Sequence, residues 1–199
     1  FSLRKERTAR EPLDLDLPER KILLHPSGQV DRVIVPPRLD AHRLIEEFMI
    51  QANVAAAETL ERRHQHLIYR IHDAPSLAKP ESLREFLRSI DMNLARGAQL
   101  RPSQFNAILK RVEGTEHEAL VNEVVLRTQS QAEYNPENIG HFGLNLRRYA
   151  HFTSPIRRYA DLIVHRALIR ALALGEDGLT GEEEARLEEI AATISAAER

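Results

Sequence analysis

The sequence predicts an α+β fold that is predominantly helical, with short β-strands near the N-terminus. Residues 1–38 contain short apolar segments with the two-residue period of strands, most clearly the Leu-Asp alternation of residues 13–17. A Pro-Ser-Gly turn separates two such segments, and Pro36 and Pro37 end the second. Residues 39–199 instead repeat their apolar residues at helical spacing. We therefore expect strands and turns up to residue 38 and helices beyond it.

The composition is that of a globular protein from a reducing compartment. Of the 199 residues, 42% are hydrophobic and 29% are charged, which provides enough apolar material for a core. The lack of cysteine excludes a disulfide scaffold, a thiolate zinc site and a cysteine nucleophile. No apolar run approaches the roughly 20 residues that a membrane helix needs. We expect a cytoplasmic protein with no membrane partner, and Phe1 as first residue indicates a piece of a longer chain.

A long helix is predicted from Asp40, as its cap, to about Arg63. Its apolar residues form two stripes on opposite sides, which predicts burial between two layers. The stripes are Ala41, Ile45, Phe48, Ala52, Ala55 and Thr59 on one side, and Ile50, Val54 and Ala57 on the other. Glu46 and Asn53 share one flank, and Glu47 lies on the other. A partly buried acid requires a partner, so an ion pair with an arginine and a ligand contact both stay open.

Three shorter helices are predicted in the middle of the chain. Residues 83–90 and 105–112 carry matching apolar stripes, and a third helix is predicted over residues 116–131. The first two do not form a helix-turn-helix motif, because their connection is too long for its tight turn. We expect all three to pack as core elements.

Positive charge is concentrated in residues 141–170, which contain six arginines and one acidic residue. Phenylalanine and tyrosine residues are interleaved with these arginines, a pattern that suits phosphate binding with ring stacking. A solvated helix surface with ion pairs is the simpler interpretation of such a cluster. Residues 176–199 have the opposite balance, with eight acidic residues and two arginines, which is typical of an outer helix.

The same region predicts a helix that begins at Ser154 and Pro155, with a capping hydroxyl followed by a ring that needs no N–H partner. The unpaired N–H groups at a helix start bind phosphate. Arg157 and Arg158 would lie in the first turn, and Asp161 could orient either guanidinium. We expect this turn to face a cavity that holds a nucleotide chain. An ordinary arginine pair neutralised by Asp161 is the alternative.

Two other catalytic arrangements fit the sequence poorly. A Ser–His–Asp triad of Ser154, His151 and Asp161 would lack the glycine elbow that exposes such a serine. A metal site built from His141, His151 and His165 would lack the usual ligand spacing. We therefore expect neither.

Residues 149–162, Tyr-Ala-His-Phe-Thr-Ser-Pro-Ile-Arg-Arg-Tyr-Ala-Asp-Leu, resemble the signature of the ribonuclease II/ribonuclease R family of 3′-to-5′ exoribonucleases, whose catalytic unit is the RNB domain. Residues 44–55, 131–134 and 141–144 agree with the same family. The resemblance spans essentially the whole chain, and within the family ribonuclease R is nearer than ribonuclease II.

The resemblance implies a domain around a narrow channel that admits single-stranded RNA from its 3′ end. Members release nucleoside 5′-monophosphates by hydrolysis, with Mg²⁺ held by aspartates. Arg157 would grip the phosphate at the scissile bond and act as the catalytic residue. An acid of the Glu46–Glu47 pair, preferably Glu46, would recognise the ribose 2′-hydroxyl or the base. The implied RNA-binding residues are Glu46, Glu47, Asn53, His151, Phe152, Ser154, Pro155 and Arg158.

The chain also departs from the family pattern. The magnesium-binding aspartates of the family precede the long helix as a close cluster, which Asp14 and Asp16 do not reproduce. The metal ligands are therefore expected upstream of Phe1, and the cold-shock and S1-type domains have no counterpart here. We expect residues 1–199 to form the C-terminal half of an RNB domain, inactive alone. A non-catalytic RNA-binding module and a purely structural helical domain are the alternatives.

Overall fold

The computed structural model of the chain describes residues 2–76, 78–94 and 100–198. Helices dominate, and the described strands form two separate antiparallel pairs, which confirms a predominantly helical α+β fold. The elements in chain order are α1 (Ser2–Arg10), β1 (Lys21–Leu24), β2 (Val30–Ile34), α2 (Asp40–Arg62), β3 (Tyr69–Ile71), α3 (Ala78–Arg88), α4 (Pro102–Val112), α5 (Glu118–Thr128), β4 (Glu133–Asn135), α6 (Tyr159–Leu172), α7 (Gly181–Ala185) and α8 (Leu187–Glu198).

Two hydrophobic cores organise these elements. The first lies between the C-terminal half of α2, α6, α8 and the β3–β4 sheet, and includes Leu60, Ile163 and Val164. The second joins α3, α4 and α5 through their predicted apolar stripes, with Leu87 and Phe105 fully buried. None of the helices in the described part of the chain has the length and apolar character needed to cross a membrane.

The N-terminal part differs from the predicted strands and turns. Residues 2–10 form α1, and the Leu-Asp segment that follows α1 is not a strand. The N–H group of Asp14 donates to the side-chain oxygen of Asn106, and that of Asp16 donates to the side-chain oxygen of Asn122; both N···O distances are 2.9 Å. Side-chain amides on α4 and α5 therefore take the place of the neighbouring strand that the alternating pattern predicted.

The β1–β2 hairpin forms as predicted, but it buries little apolar surface. Ile22 lies opposite Val33, and Leu24 lies opposite Val30. All four side chains are more than half exposed among the described residues. The hairpin therefore depends on its own hydrogen bonds and cross-strand pairs.

Helix α2 has the predicted length but is buried on one side only. Its first residue is Asp40, and Leu39 occupies the cap position that was predicted for Asp40. Ile45 and Phe48 of the longer predicted stripe are exposed, so the prediction of burial on two sides is wrong. Among the described helices, α6 packs against the side of α2 that faces away from Ile45 and Phe48. The buried residues are Glu47, Ile50, Asn53, Ala56, Ala57 and Leu60.

Candidate nucleic-acid interface

The signature segment, residues 149–158, is an irregular stretch that leads into α6. Helix α6 begins at Tyr159 rather than at Ser154 and Pro155, because Arg158 has an extended backbone with φ −128° and ψ 118°. The carbonyl of Ser154 accepts the N–H groups of Arg157 and Arg158, at 3.3 and 3.1 Å. Residues 154–158 therefore form a separate turn, which we call the signature turn. The predicted helix start at Ser154, with its phosphate-binding N–H groups, is wrong.

Asp161 holds this turn from the first turn of α6. Its carboxylate is completely buried and accepts the Ser154 N–H at 2.7 Å. It also accepts two hydrogen bonds from the Arg158 guanidinium, both at 2.8 Å. Such a two-pronged charged pair is strong and directional. The sequence left open which arginine Asp161 orients, and the structure assigns Arg158.

Arg157 lies next to this pair but is not part of it. Its side chain is exposed and makes no hydrogen bond or ion pair with residues 2–76, 78–94 or 100–198. Neither of the two cavities described within those residues is lined by residues of the turn. Burial is the main cause of the lowered pKa of His151, and the positive charge of Arg157 adds to it. Arg157 is thus a cation on a fixed turn, without a partner among the described residues.

Asn53 connects α2 to the signature segment. Its amide nitrogen donates to the Tyr149 hydroxyl at 2.9 Å. Its amide oxygen accepts the N–H groups of Phe152 and Thr153, at 2.9 and 3.2 Å. The side chain is almost completely buried, so Asn53 binds protein backbone instead of presenting a free amide at the surface.

Phe152 is fixed by an aromatic partner on α6. Its ring stacks on His165, with ring centres 4.3 Å apart and planes tilted by 10°. The Nε2 atom of the same histidine lies 2.8 Å from the Phe152 carbonyl, to which it donates. Phe152 therefore has one ring face covered within the protein.

Neutral histidines lie beneath the signature segment. Burial lowers the pKa of both His141 and His151 to about 3, so both rings are uncharged near neutral pH. The Nδ1 atom of His151 lies 2.8 Å from the Tyr134 hydroxyl. Burial also lowers the pKa of His72, whose Nδ1 accepts the Gly143 N–H at 2.9 Å. These rings act as apolar and hydrogen-bonding supports, and the described geometry gives none of them a positive charge at pH 7.

The two candidate acids of α2 have different surroundings. Glu47 is buried, and its Oε1 accepts a hydrogen bond from Arg7 at 2.6 Å, whereas its Oε2 has no partner among the described residues. Glu46 is more exposed and pairs with Arg38, with Arg7 at 3.7 Å. Glu47 and Asn53 are both buried, whereas Glu46 is only partly buried.

The RNB domain family model matches residues 1–174. The chain belongs to the RNB domain family. It is 41% identical over 197 residues to ribonuclease R of Aquifex aeolicus, covering 99% of this chain and 28% of the relative. It is 40% identical over 182 residues to ribonuclease R of Escherichia coli, covering 90% of this chain and 22% of the relative. The resemblance seen in the sequence is thereby confirmed.

A solved structure supports the same assignment. The chain matches Mycoplasma genitalium RNase R in complex with ribose methylated single-stranded RNA, with a TM-score of 0.88 and 29% identity. The match covers 98% of this chain and 31% of that chain. This RNB domain chain therefore spans less than a third of the length of each of these relatives.

The RNB residues described here do not fit a magnesium ion. Within residues 2–76, 78–94 and 100–198, no group of three or more histidine, aspartate or glutamate side chains could hold a metal. Asp14 and Asp16 are both exposed and belong to no such group. We therefore derive no chemical step through a metal at these residues.

Sequence reasoning missed the arginines of α1 in this RNB chain. Arg7 binds Glu47. Burial lowers the pKa of Arg10, and the negative charge of Glu47 counteracts this decrease. The spacing of three between these arginines places them on one side of a helix. That signal was present in the sequence, but it had meaning only once residues 2–10 were known to be helical.

Proposed function

We propose that this RNB domain chain is the RNA-gripping part of a hydrolytic 3′-to-5′ exoribonuclease of the cytoplasm. Its substrate would be single-stranded RNA and its products nucleoside 5′-monophosphates. The relatives named ribonuclease R, and the solved RNase R structure that contains single-stranded RNA, support this class of activity. The composition supports a reducing compartment, since the chain has no cysteine.

The exposed guanidinium of Arg157 carries the proposal. Arginine binds phosphate oxygens through a rigid set of N–H donors and keeps its charge at any physiological pH. Arg157 makes no ion pair with the described residues, whereas its neighbour Arg158 is bound to Asp161 on two prongs. Arg157 is therefore free to donate to a phosphodiester, where it would stabilise negative charge that develops during hydrolysis.

We assign sugar recognition to the acid pair of α2. Glu46 is the more exposed carboxylate and could accept a hydrogen bond from a ribose 2′-hydroxyl, while Arg7 holds Glu47 beneath it. His151, Ser154 and Pro155 lie in the signature segment and would contact the adjacent RNA backbone.

We further propose that residues 1–199 form the C-terminal half of an RNB catalytic domain. The share of its relatives that the chain spans supports this division, as does the lack of a fitting metal cluster among the described residues. The magnesium-binding aspartates, the cold-shock domains and the S1-type domain would then belong to other parts of the protein. The mechanism of this chain is restricted to gripping and orienting RNA.

The test is the salt dependence of binding to a short oligoadenylate. Replacing Arg157 with alanine should weaken binding by about tenfold, because a charge-assisted hydrogen bond is lost. The slope of log affinity against log salt concentration should also fall by about 0.7, the value for one phosphate contact on a single strand. Arg32→Ala on the hairpin removes the same charge and should change both quantities little. Equal losses for the two variants would reject Arg157 as the clamp.

A non-catalytic RNA-binding module is the second candidate, and the lack of a metal cluster among the described residues favours it for the chain by itself. We expect the isolated chain to bind oligoadenylate without releasing nucleoside monophosphate in the presence of Mg²⁺. Release by the isolated chain would contradict the division of the domain proposed above. Release only by a longer protein that contains the chain would favour the exoribonuclease over the binding module.

A further inference from the structure

We infer that Asn53 and Asp161 are positioning residues that fix the signature turn and thereby present Arg157 to RNA. The inference rests on the proposed phosphate contact of Arg157 and extends it to two side chains that do not touch the substrate.

The signature turn is closed at both ends by one carboxylate. Asp161 accepts the Ser154 N–H at the first end and the Arg158 guanidinium at the last end. Between them, the Ser154 carbonyl accepts the N–H groups of Arg157 and Arg158. The backbone on either side of Arg157 is therefore tied to α6 before any ligand arrives.

Asn53 fixes the segment that enters the turn. It accepts the N–H groups of Phe152 and Thr153 and donates to the Tyr149 hydroxyl. An asparagine side chain offers two N–H donors and one acceptor oxygen. Three hydrogen bonds are already made within the protein and the side chain is buried, so Asn53 is not available to RNA. We therefore assign Asn53 a positioning role instead of the direct RNA contact that the resemblance implied.

The apex of the turn is the part that stays free. Ile156 is fully exposed and Arg157 is exposed, while Asp161 holds Ser154 before them and Arg158 after them. Ordering a loop at the moment of binding costs affinity, and a loop that is already ordered avoids this cost. The two helices thus supply a pre-organised backbone from which only the Arg157 side chain has to be ordered by the phosphate.

A double-mutant cycle on oligoadenylate binding tests the inference. Asp161→Asn keeps the side-chain volume but removes the charge and one of the oxygens that accept hydrogen bonds. We expect it to weaken binding by about fivefold in the native background, against about tenfold for Arg157→Ala. If Asp161 acts through Arg157, the double variant should also lose only about tenfold, because the misplaced side chain is already absent.

The outcomes separate this inference from the proposed function. A double variant that loses about fiftyfold, the product of the two single effects, would show independent roles and overturn the positioning role. No loss on Arg157→Ala would instead reject the proposed phosphate contact itself. Glu189→Gln is the matched control, because Arg186 and Glu189 form an exposed two-pronged pair at the same spacing in the chain. It should leave RNA binding unchanged.

Two further variants protect the test against a failure to fold. Arg158→Lys keeps a positive charge opposite Asp161 but removes one prong, so it should fold and weaken binding by about twofold to threefold. Asn53→Ser shortens the side chain that holds Phe152 and Thr153 and should weaken binding to a similar degree. Both losses should vanish in the Arg157→Ala background. Losses that persist there would overturn the inference even if Asp161→Asn does not fold.

Discussion

The β1–β2 hairpin is regular but packs little against the rest of the protein, whereas the signature segment is irregular but tightly bound by its neighbours. The hairpin has regular hydrogen bonds, yet Ile22 and Leu24 are more than half exposed in the described part of the chain. The signature segment is irregular, yet side chains of α2 and α6 bind its backbone at Phe152, Thr153 and Ser154. Buried side chains that bind irregular backbone are costly to assemble. We infer that this fixation, rather than regular secondary structure, marks the functional part of the molecule.

The largest expected contrast is in stability. Leu60 is fully buried between α2 and its neighbours, so Leu60→Ala should lower the free energy of unfolding by about 3 kcal/mol. Leu24→Ala on the hairpin removes an exposed side chain and should change it by less than about 0.5 kcal/mol. Urea unfolding of the two variants measures both values. Similar losses would mean that the hairpin contributes to the cooperative core.

A second contrast concerns pH. In the unfolded chain, histidines protonate near their usual pKa of 6.5, whereas His141 and His151 stay neutral in the native protein until about pH 3. The unfolded state then binds more protons, so the free energy of unfolding should fall as the pH drops from about 6.5 towards 3. The slope should approach about 1.4 kcal/mol per pH unit for each histidine.

Replacing His141 with glutamine should remove the contribution of that one histidine, which approaches about 1.4 kcal/mol per pH unit, between pH 6 and about 5. Glu183→Gln is the control, since hydrogen bonding to Arg166 lowers the pKa of Glu183 to about 2. This carboxylate therefore changes the slope of the free energy of unfolding against pH only in more acidic solutions. An unchanged slope in the His141 variant would show that this ring is not held neutral by the fold.

The smallest effect should appear in proteolysis. Trypsin cleaves after arginine in locally unfolded segments, so exposure alone does not make a bond susceptible. Cleavage after Arg32 in the hairpin should therefore be several-fold faster than cleavage after Arg157, although both side chains are exposed. Asp161→Asn should accelerate cleavage at the signature turn alone. Faster cleavage after Arg157 than after Arg32 in the native chain would contradict a fixed turn.

The sequence predicted where helices and strands lie more successfully than which of their sides are buried and which side chains they contact. The bounds of α2 followed from its length and periodicity, but the side that is buried depended on where α6 lies. The apparent start of α6 at Ser154 and Pro155 was misleading, because a tertiary hydrogen bond from Ser154 to Asp161 outweighs local capping preference. The pairing of Arg7 with Glu47 joins positions forty residues apart and has no local signal.

The most direct measurement follows the arginine side chains themselves during binding. In a nitrogen-15 NMR titration with oligoadenylate, the Nε–H resonance of Arg157 should shift strongly as its guanidinium meets phosphate. The Nε–H resonance of Arg158, already bound to Asp161, should stay nearly fixed. The reverse pattern, with Arg158 shifting and Arg157 unchanged, would contradict the assignment of Arg157 as the residue that grips RNA.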